Sequence, residues 1–168
     1  MDAAQLKALQ SPLKESYRVD PASALVTLRA TGRATEGLSC KVQTGKALVE
    51  AGLHPATGGD GTLACSGDML LEALVACAGV TLRTVAAAIG VELRDAKVFA
   101  EGDLDFRGTL GVSKEVPVGF KAIRLRFELD TSATEEQRAT LLRLTERYCV
   151  VLQTLLSPPG ISVENKGV

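Results

Sequence analysis

The chain has 168 residues, 46% of them apolar, with a formal charge of -1, 4% aromatic residues and no tryptophan. That length is about one domain and can bury a sizeable core, and the composition excludes a disordered chain. Balanced charge and scarce aromatics argue against nucleic acid and against an anionic membrane surface as partners. The Met1-Asp2-Ala3-Ala4-Gln5 start has no basic region followed by an apolar one, so no secretory leader is expected and a reducing cytoplasm is the expected compartment.

The first twenty residues hold helical material, Asp2 to Leu9 and then Ser11 to Arg18, with Ser11 placed to cap and Pro12 suited to a first helical position. Asp20-Pro21 ends it. Ala24 to Ala30 is β-prone, Thr31 to Glu36-Gly37 reads as a turn, and Leu38 to Thr44 as a returning strand. From Gly45 to Gly67 the chain is a connector, with a short helical turn expected at Lys46 to Ala51. Its Gly58-Gly59-Asp60-Gly61 suits tight turns and is no phosphate loop, since neither a GKS/T nor a strand-borne GxGxxG is present.

Asp68 to Ile89 reads as one long helix, with Ser66 to cap it, Asp68 to complement its dipole and Gly90 to stop it. It is apolar nearly all round, so it is expected to be buried on all sides. Glu72 and Arg83 leave ten uncharged residues between them, short of the roughly 20 that a bilayer requires. Val91 to Phe106 alternates roughly and reads as a long strand or bulged pair. Gly108 to Gly119 reads as a loop. Phe120 to Asp130 alternates cleanly, with Ile123, Leu125, Phe127 and Leu129 on one side. Thr134 and Gln137 form a capping box that opens a last helix running to Leu155, Pro158-Pro159-Gly160 ends it, and Ile161 to Glu164 reads as a closing strand. The order of elements indicates an α+β sheet-and-helix sandwich.

Cysteines stand at 40, 65, 77 and 149. Without CxxC spacing, and with the single His54 far from them in sequence, they form no metal-ligand cluster, so neither a metal nor another cofactor is expected. Cys77 and Cys149 fall on predicted helices 72 residues apart. Each can be a small buried hydrophobe or a reactive thiol. A reactive thiol needs a lowered pKa, for which a mid-helix position supplies no dipole help and a cation would have to stand nearby.

Asp68-Met-Leu-Leu-Glu-Ala-Leu-Val-Ala-Cys77, preceded by Gly58-Gly59 and followed by Tyr148-Cys149-Val-Val-Leu-Gln-Thr-Leu155, resembles the OsmC/Ohr family of osmotically induced and organic hydroperoxide resistance proteins. The resemblance runs from about residue 22 to 168 and leaves residues 1–20 as an N-terminal extension. It implies an intertwined homodimer with buried central helices, and a thiol-dependent peroxidase acting on organic hydroperoxides. Cys77 would become a sulfenic acid, Cys149 would condense with it to a disulfide, and a dithiol such as a lipoylated protein would reduce that. It also implies an arginine from the first hairpin to hold the thiolate. Arg33 at the expected turn is its counterpart, with Arg29 in reserve. The family's orienting glutamate falls on Gly67, ten residues before Cys77. Asp68 matches an acid common in the wider family, and Glu72 offers a displaced carboxylate. The competing expectation is a family member without peroxidase activity that binds a small lipophilic or thiol ligand in the dimer cleft.

Overall fold

The computed structural model describes residues 3–35, 39–42 and 51–165, and the side chains of residues 3–7, 9, 28–35 and 39–42 lie outside what is described. Helix α1 spans Ala3–Val19 and runs through Pro12. This corrects the expectation of two pieces with a cap at Ser11. Proline cannot bond the carbonyl of Ala8, but tertiary contacts hold the helix through that gap. Tyr17 is 4% exposed and its hydroxyl donates to the Ala56 carbonyl at 2.6 Å. Asp20-Pro21 ends the helix as expected, opening a single 3-10 turn, Pro21–Ala24.

Strand β1 (Leu25–Thr35) and strand β2 (Ser39–Val42) form the first hairpin. Of the turn expected at Thr31 to Gly37, Thr31 to Thr35 is strand instead; Glu36 and Gly37, like Leu38, Gln43 and Thr44 of the expected returning strand, lie outside the described residues. β1 pairs along most of its length with β5 (Asp95–Asp105), from Leu25 opposite Asp105 to Ala34 opposite Ala96. A partner on each side overrides the local turn preference of Thr31-Gly32. The helical turn expected at Lys46 to Ala51 falls largely on residues 43–50, outside the described residues; Ala51 itself belongs to β3 (Ala51–Gly52), which runs parallel to β4 (Ala64–Cys65). Between them Gly58 and Gly61 take φ values of 96° and 77°, the left-handed turns that their sequence suggests.

Helix α2 spans Ser66–Ala88, so Ser66 is its first residue and Cys65 occupies the cap position expected of Ser66. Gly90 follows the helix at φ 69°, the usual left-handed stop. α2 buries Leu71, Leu74, Val75, Ala78, Gly79, Leu82, Val85 and Ala86, and the helix packs chiefly against β1, β2, β5 and the two last helices. By length and composition α2 is a candidate membrane span, which the expectation based on ten uncharged residues did not allow for. Its buried leucines instead make it the core helix of the fold.

β5 leads into a short helix α3 (Phe106–Thr109), and β6 (Ala122–Asp130) completes an antiparallel sheet in the order β2-β1-β5-β6. Ile123, Leu125, Phe127 and Leu129 are half-buried, with their neighbours exposed, as the alternation requires. The outer face is wet. There Arg124 meets Asp103 at 2.5 Å and Glu101 at 3.5 Å, with its side chain 47% exposed, and such pairs add little stability. The carboxylate of Asp105 is the exception, fully buried and paired with Arg107 at 2.6 Å.

The last helix is two helices, α4 (Glu135–Tyr148) and α5 (Val150–Leu156), broken at Cys149. Thr134 and Gln137 cap α4 reciprocally. The closing strand expected at Ile161 to Glu164 is not formed: the segment is irregular, with Ile161 84% and Val163 94% exposed. The architecture is the expected α+β, a four-stranded sheet with α2, α4 and α5 packed together against it and α1 set against α3.

Candidate active site around two thiols

The break at Cys149 builds the site. Its backbone is extended (φ -72°, ψ 104°), its N–H donates to Thr145 and its carbonyl accepts from Gln153. One residue thus closes α4 and opens α5. The first N–H groups of a helix have no acceptor within it. Here those of Val150 and Val151 hydrogen-bond the sulfur of Cys77, and those of Leu152 and Val151 the sulfur of Cys149. Cys77 sits in the middle of α2, and the donors that favour its thiolate come from the backbone at the start of α5.

The two thiols shift each other in opposite senses, Cys149 lowering Cys77 and Cys77 raising Cys149. Burial raises the Cys77 thiol, but the N–H of Val151, the thiol of Cys149, the hydroxyl of Thr81 and the N–H of Val150 outweigh it and hold Cys77 below the ordinary cysteine value. Burial pushes Cys149 up to about 11, with the neighbouring Cys77 adding to the rise. Cys149 is fully buried, while Cys77 is half-buried on a face of α2 that continues through Val80 to the exposed Thr84 and Ala88. A groove of about 430 Å³ follows this face, lined by Val80, Thr81, Thr84, Leu144 and Tyr148 among others. Cys65, Cys77 and Cys149 are free thiols. Among the described residues no group of His, Cys, Asp and Glu is arranged to hold a metal.

The other candidates sit elsewhere. Arg33 lies within β1, opposite Lys41 and Lys97, and not at a turn; its side chain, like that of Arg29, is outside the described residues. Asp68 is in the first turn of α2, nine residues before Cys77. On a helix that is about 13 Å along the axis and half a turn round. Burial raises the Asp68 carboxyl, partly offset by His54, and burial together with Asp68 raises Glu72 one turn later. His54 accepts the Ala56 N–H at Nδ1 and stacks on Phe106. Thr81 and the two α5 amides were not anticipated. Thr81 is four residues after Cys77 and so on its face, a signal present in the sequence. The amides depend on a helix break that no glycine or proline marks.

Fold and site together define an α+β protein with two adjacent, oppositely tuned thiols beside a core helix. The family model of OsmC-like proteins matches residues 59–164, and the chain belongs to that family. Among solved structures it is similar to an OsmC-like hydroperoxide resistance protein from Jannaschia sp. CCS1, at 19% identity and a TM-score of 0.62, over 86% of this chain and 95% of that one. It is also similar to an OsmC-like protein from Mycoplasma pneumoniae, at 15% identity and a TM-score of 0.56, over 80% and 86%. These likenesses establish the fold. No curated protein matches the sequence.

Proposed function

We propose that the protein is a thiol peroxidase that reduces organic hydroperoxides through Cys77 and Cys149. The observation that carries this reading is the opposite displacement of the two thiols, Cys77 down and Cys149 up to about 11. A thiolate is the nucleophile and a neutral thiol is not, so the pair divides into an attacking and a waiting sulfur. The Cys77 thiolate attacks the terminal peroxide oxygen. The O–O bond breaks, an S–O bond forms, and the alkoxide leaves and takes up a proton as the alcohol. Cys149 then attacks the sulfenic sulfur, its proton leaves with the hydroxyl as water, and an S–S bond results. A dithiol, such as a lipoylated protein, restores both thiols by exchange. Membership in the family and the likeness to the Jannaschia hydroperoxide resistance protein support the same class.

A homodimer completes this reading. α2 leaves Met69, Leu70, Ala73, Thr84, Ala87 and Ala88 exposed, an uncharged face that also carries Cys77. Beside it Tyr148 and Val150 are 58% and 71% exposed. A second copy of α2 suits this surface, because contiguous apolar surface of this kind marks an interface.

The test is to add cumene hydroperoxide to the reduced protein and titrate free thiols over time, in wild type and in Cys77→Ser. Rapid loss of two thiols in wild type alone is expected, and wild-type thiols that survive as long as the mutant's refute the reading. One observation favours a non-catalytic ligand binder instead: a largely apolar cleft of about 730 Å³ beside β6, lined by Leu74, Phe127, Leu152 and Leu155 among others. Binding of a lipophilic probe with all thiols intact in peroxide would support that reading.

A further inference from the structure

The stretch from Arg138 to Leu156 holds no glycine or proline, yet the helix breaks at Cys149. The ψ of Cys149 is 104°, far from the helical value of about -42°. Because the ψ of one residue orients the next N–H, the Val150 N–H leaves the axis of α4. In an unbroken helix it would donate to the carbonyl of Glu146, four residues back. The break leaves that carbonyl in need of another donor. Gln153 supplies it. Its side-chain Nε2 donates to the Glu146 carbonyl at 2.9 Å, seven residues back and across the break. Its backbone N–H donates to the Cys149 carbonyl, also at 2.9 Å. One residue thus ties α5 both to the last turn of α4 and to the bend itself.

We propose that Gln153 is a positioning residue for the two thiols: its amide replaces the Val150 N–H at the Glu146 carbonyl and so holds the broken form that presents Cys149 and the start of α5 to Cys77. The proposal rests on Cys77 being the attacking thiol. Packing by itself leaves the angle between the helices less determined. Val151, Leu152 and Leu155 lie against the core, but apolar contact is non-directional. Gln153 stands on the exposed side of α5 and adds a directional bond there. Without that bond the Glu146 carbonyl is open again to the Val150 N–H, and a continuous helix gains on the broken one. Straightening withdraws the amides of Val150 and Val151 from the Cys77 sulfur. Gln153 therefore acts through the backbone, on Cys149 by one bond and on Cys77 through the bend.

The experiment is iodoacetamide alkylation of Cys77 as a function of pH, read by mass spectrometry of its peptide in the full-length reduced protein, alongside thermal melting. Gln153→Met keeps the length of the side chain and removes its donor; Gln153→Arg supplies donors again. The alkylation midpoint is expected to rise by about half a pH unit in Gln153→Met, the scale of one net hydrogen bond. It is expected to return to the wild-type value or below it in Gln153→Arg. A Gln153→Met midpoint equal to wild type overturns the proposal even if the melting temperature falls, since that is a structural role alone. A Gln153→Arg midpoint raised as far as that of Gln153→Met overturns it too. Should the methionine variant fail to fold, Gln153→Ala serves in its place. Alkylation requires no peroxide, so a raised midpoint in a protein that does not consume peroxide supports the role of Gln153 and refutes the peroxidase reading alone.

Discussion

Replacing Val150 by proline deletes one donor to the Cys77 sulfur while leaving the fold nearly untouched. Val150 is the first residue of α5 and its side chain is 71% exposed, so no core packing is lost. Proline is well suited to that first helical position. The preceding Cys149 already has the extended ψ of 104° that a following proline demands. What disappears is the N–H bonded to Cys77. A hydrogen bond to a charged group contributes about 1.5–3 kcal/mol. Val150 is the smaller of the two amide effects on Cys77, so the low end applies, close to one pKa unit. At neutral pH the thiolate fraction falls by up to about tenfold. A thiolate of higher pKa is also more nucleophilic, by about threefold per unit for a Brønsted slope near 0.45. The two effects combine to a loss of about threefold in the rate of single-turnover reduction of tert-butyl hydroperoxide at neutral pH. Above the thiol pKa the variant should match or exceed wild type. The pH–rate curves of the two proteins therefore cross. A uniform loss at every pH, or no change at neutral pH, would refute the argument that the α5 amides hold the thiolate.

Three further outcomes follow from the same geometry. Cys149→Ser should stop after the first step, so peroxide treatment followed by dimedone should label Cys77; an unlabelled protein would remove Cys149 from the resolving role. Asp105→Asn should lower the melting temperature by roughly 4–8 °C, from a loss of about 2 kcal/mol. That loss is discounted because the Arg107 side chain is 23% exposed. Hydrogen bonds from Arg107 hold the Asp105 carboxyl below its ordinary value against the effect of burial. Its contribution is thus present above about pH 4 and is lost as pH falls through the lowered folded value. Wild type should therefore lose more stability than the variant on acidification, and equal losses would contradict the assignment. Val80→Glu places a charge on the uncharged face of α2 and should yield monomers in size-exclusion chromatography with light scattering, whereas an undiminished dimer would show that this face is not the interface.

Legibility varied with the range of the interaction. The start of α4 was readable because Thr134 and Gln137 satisfy each other within four residues. The end of α2 was readable because Gly90 alone supplies the left-handed stop, and the inward face of β6 because alternation is a period of two. Pro12 misled because its local cost is outweighed by contacts of Tyr17 and Leu13 with distant parts of the core. Thr31 to Ala34 misled because β5, some sixty residues away, pairs with it.

The site divides along the same line. The sequence alone determined that a core helix carries Cys77, that a second thiol accompanies it, and that the pattern is that of the OsmC/Ohr family, since these rest on residue order and local periodicity. Only the tertiary structure decided how the thiols are tuned. The extended backbone at Cys149 arises without a glycine or proline, and it aims the free amides of α5 at a sulfur on another helix. Burial and hydrogen bonding then act in opposite senses on the two thiols. A pKa depends on what surrounds a group in space, and for Cys77 most of those surroundings come from residues more than seventy positions away.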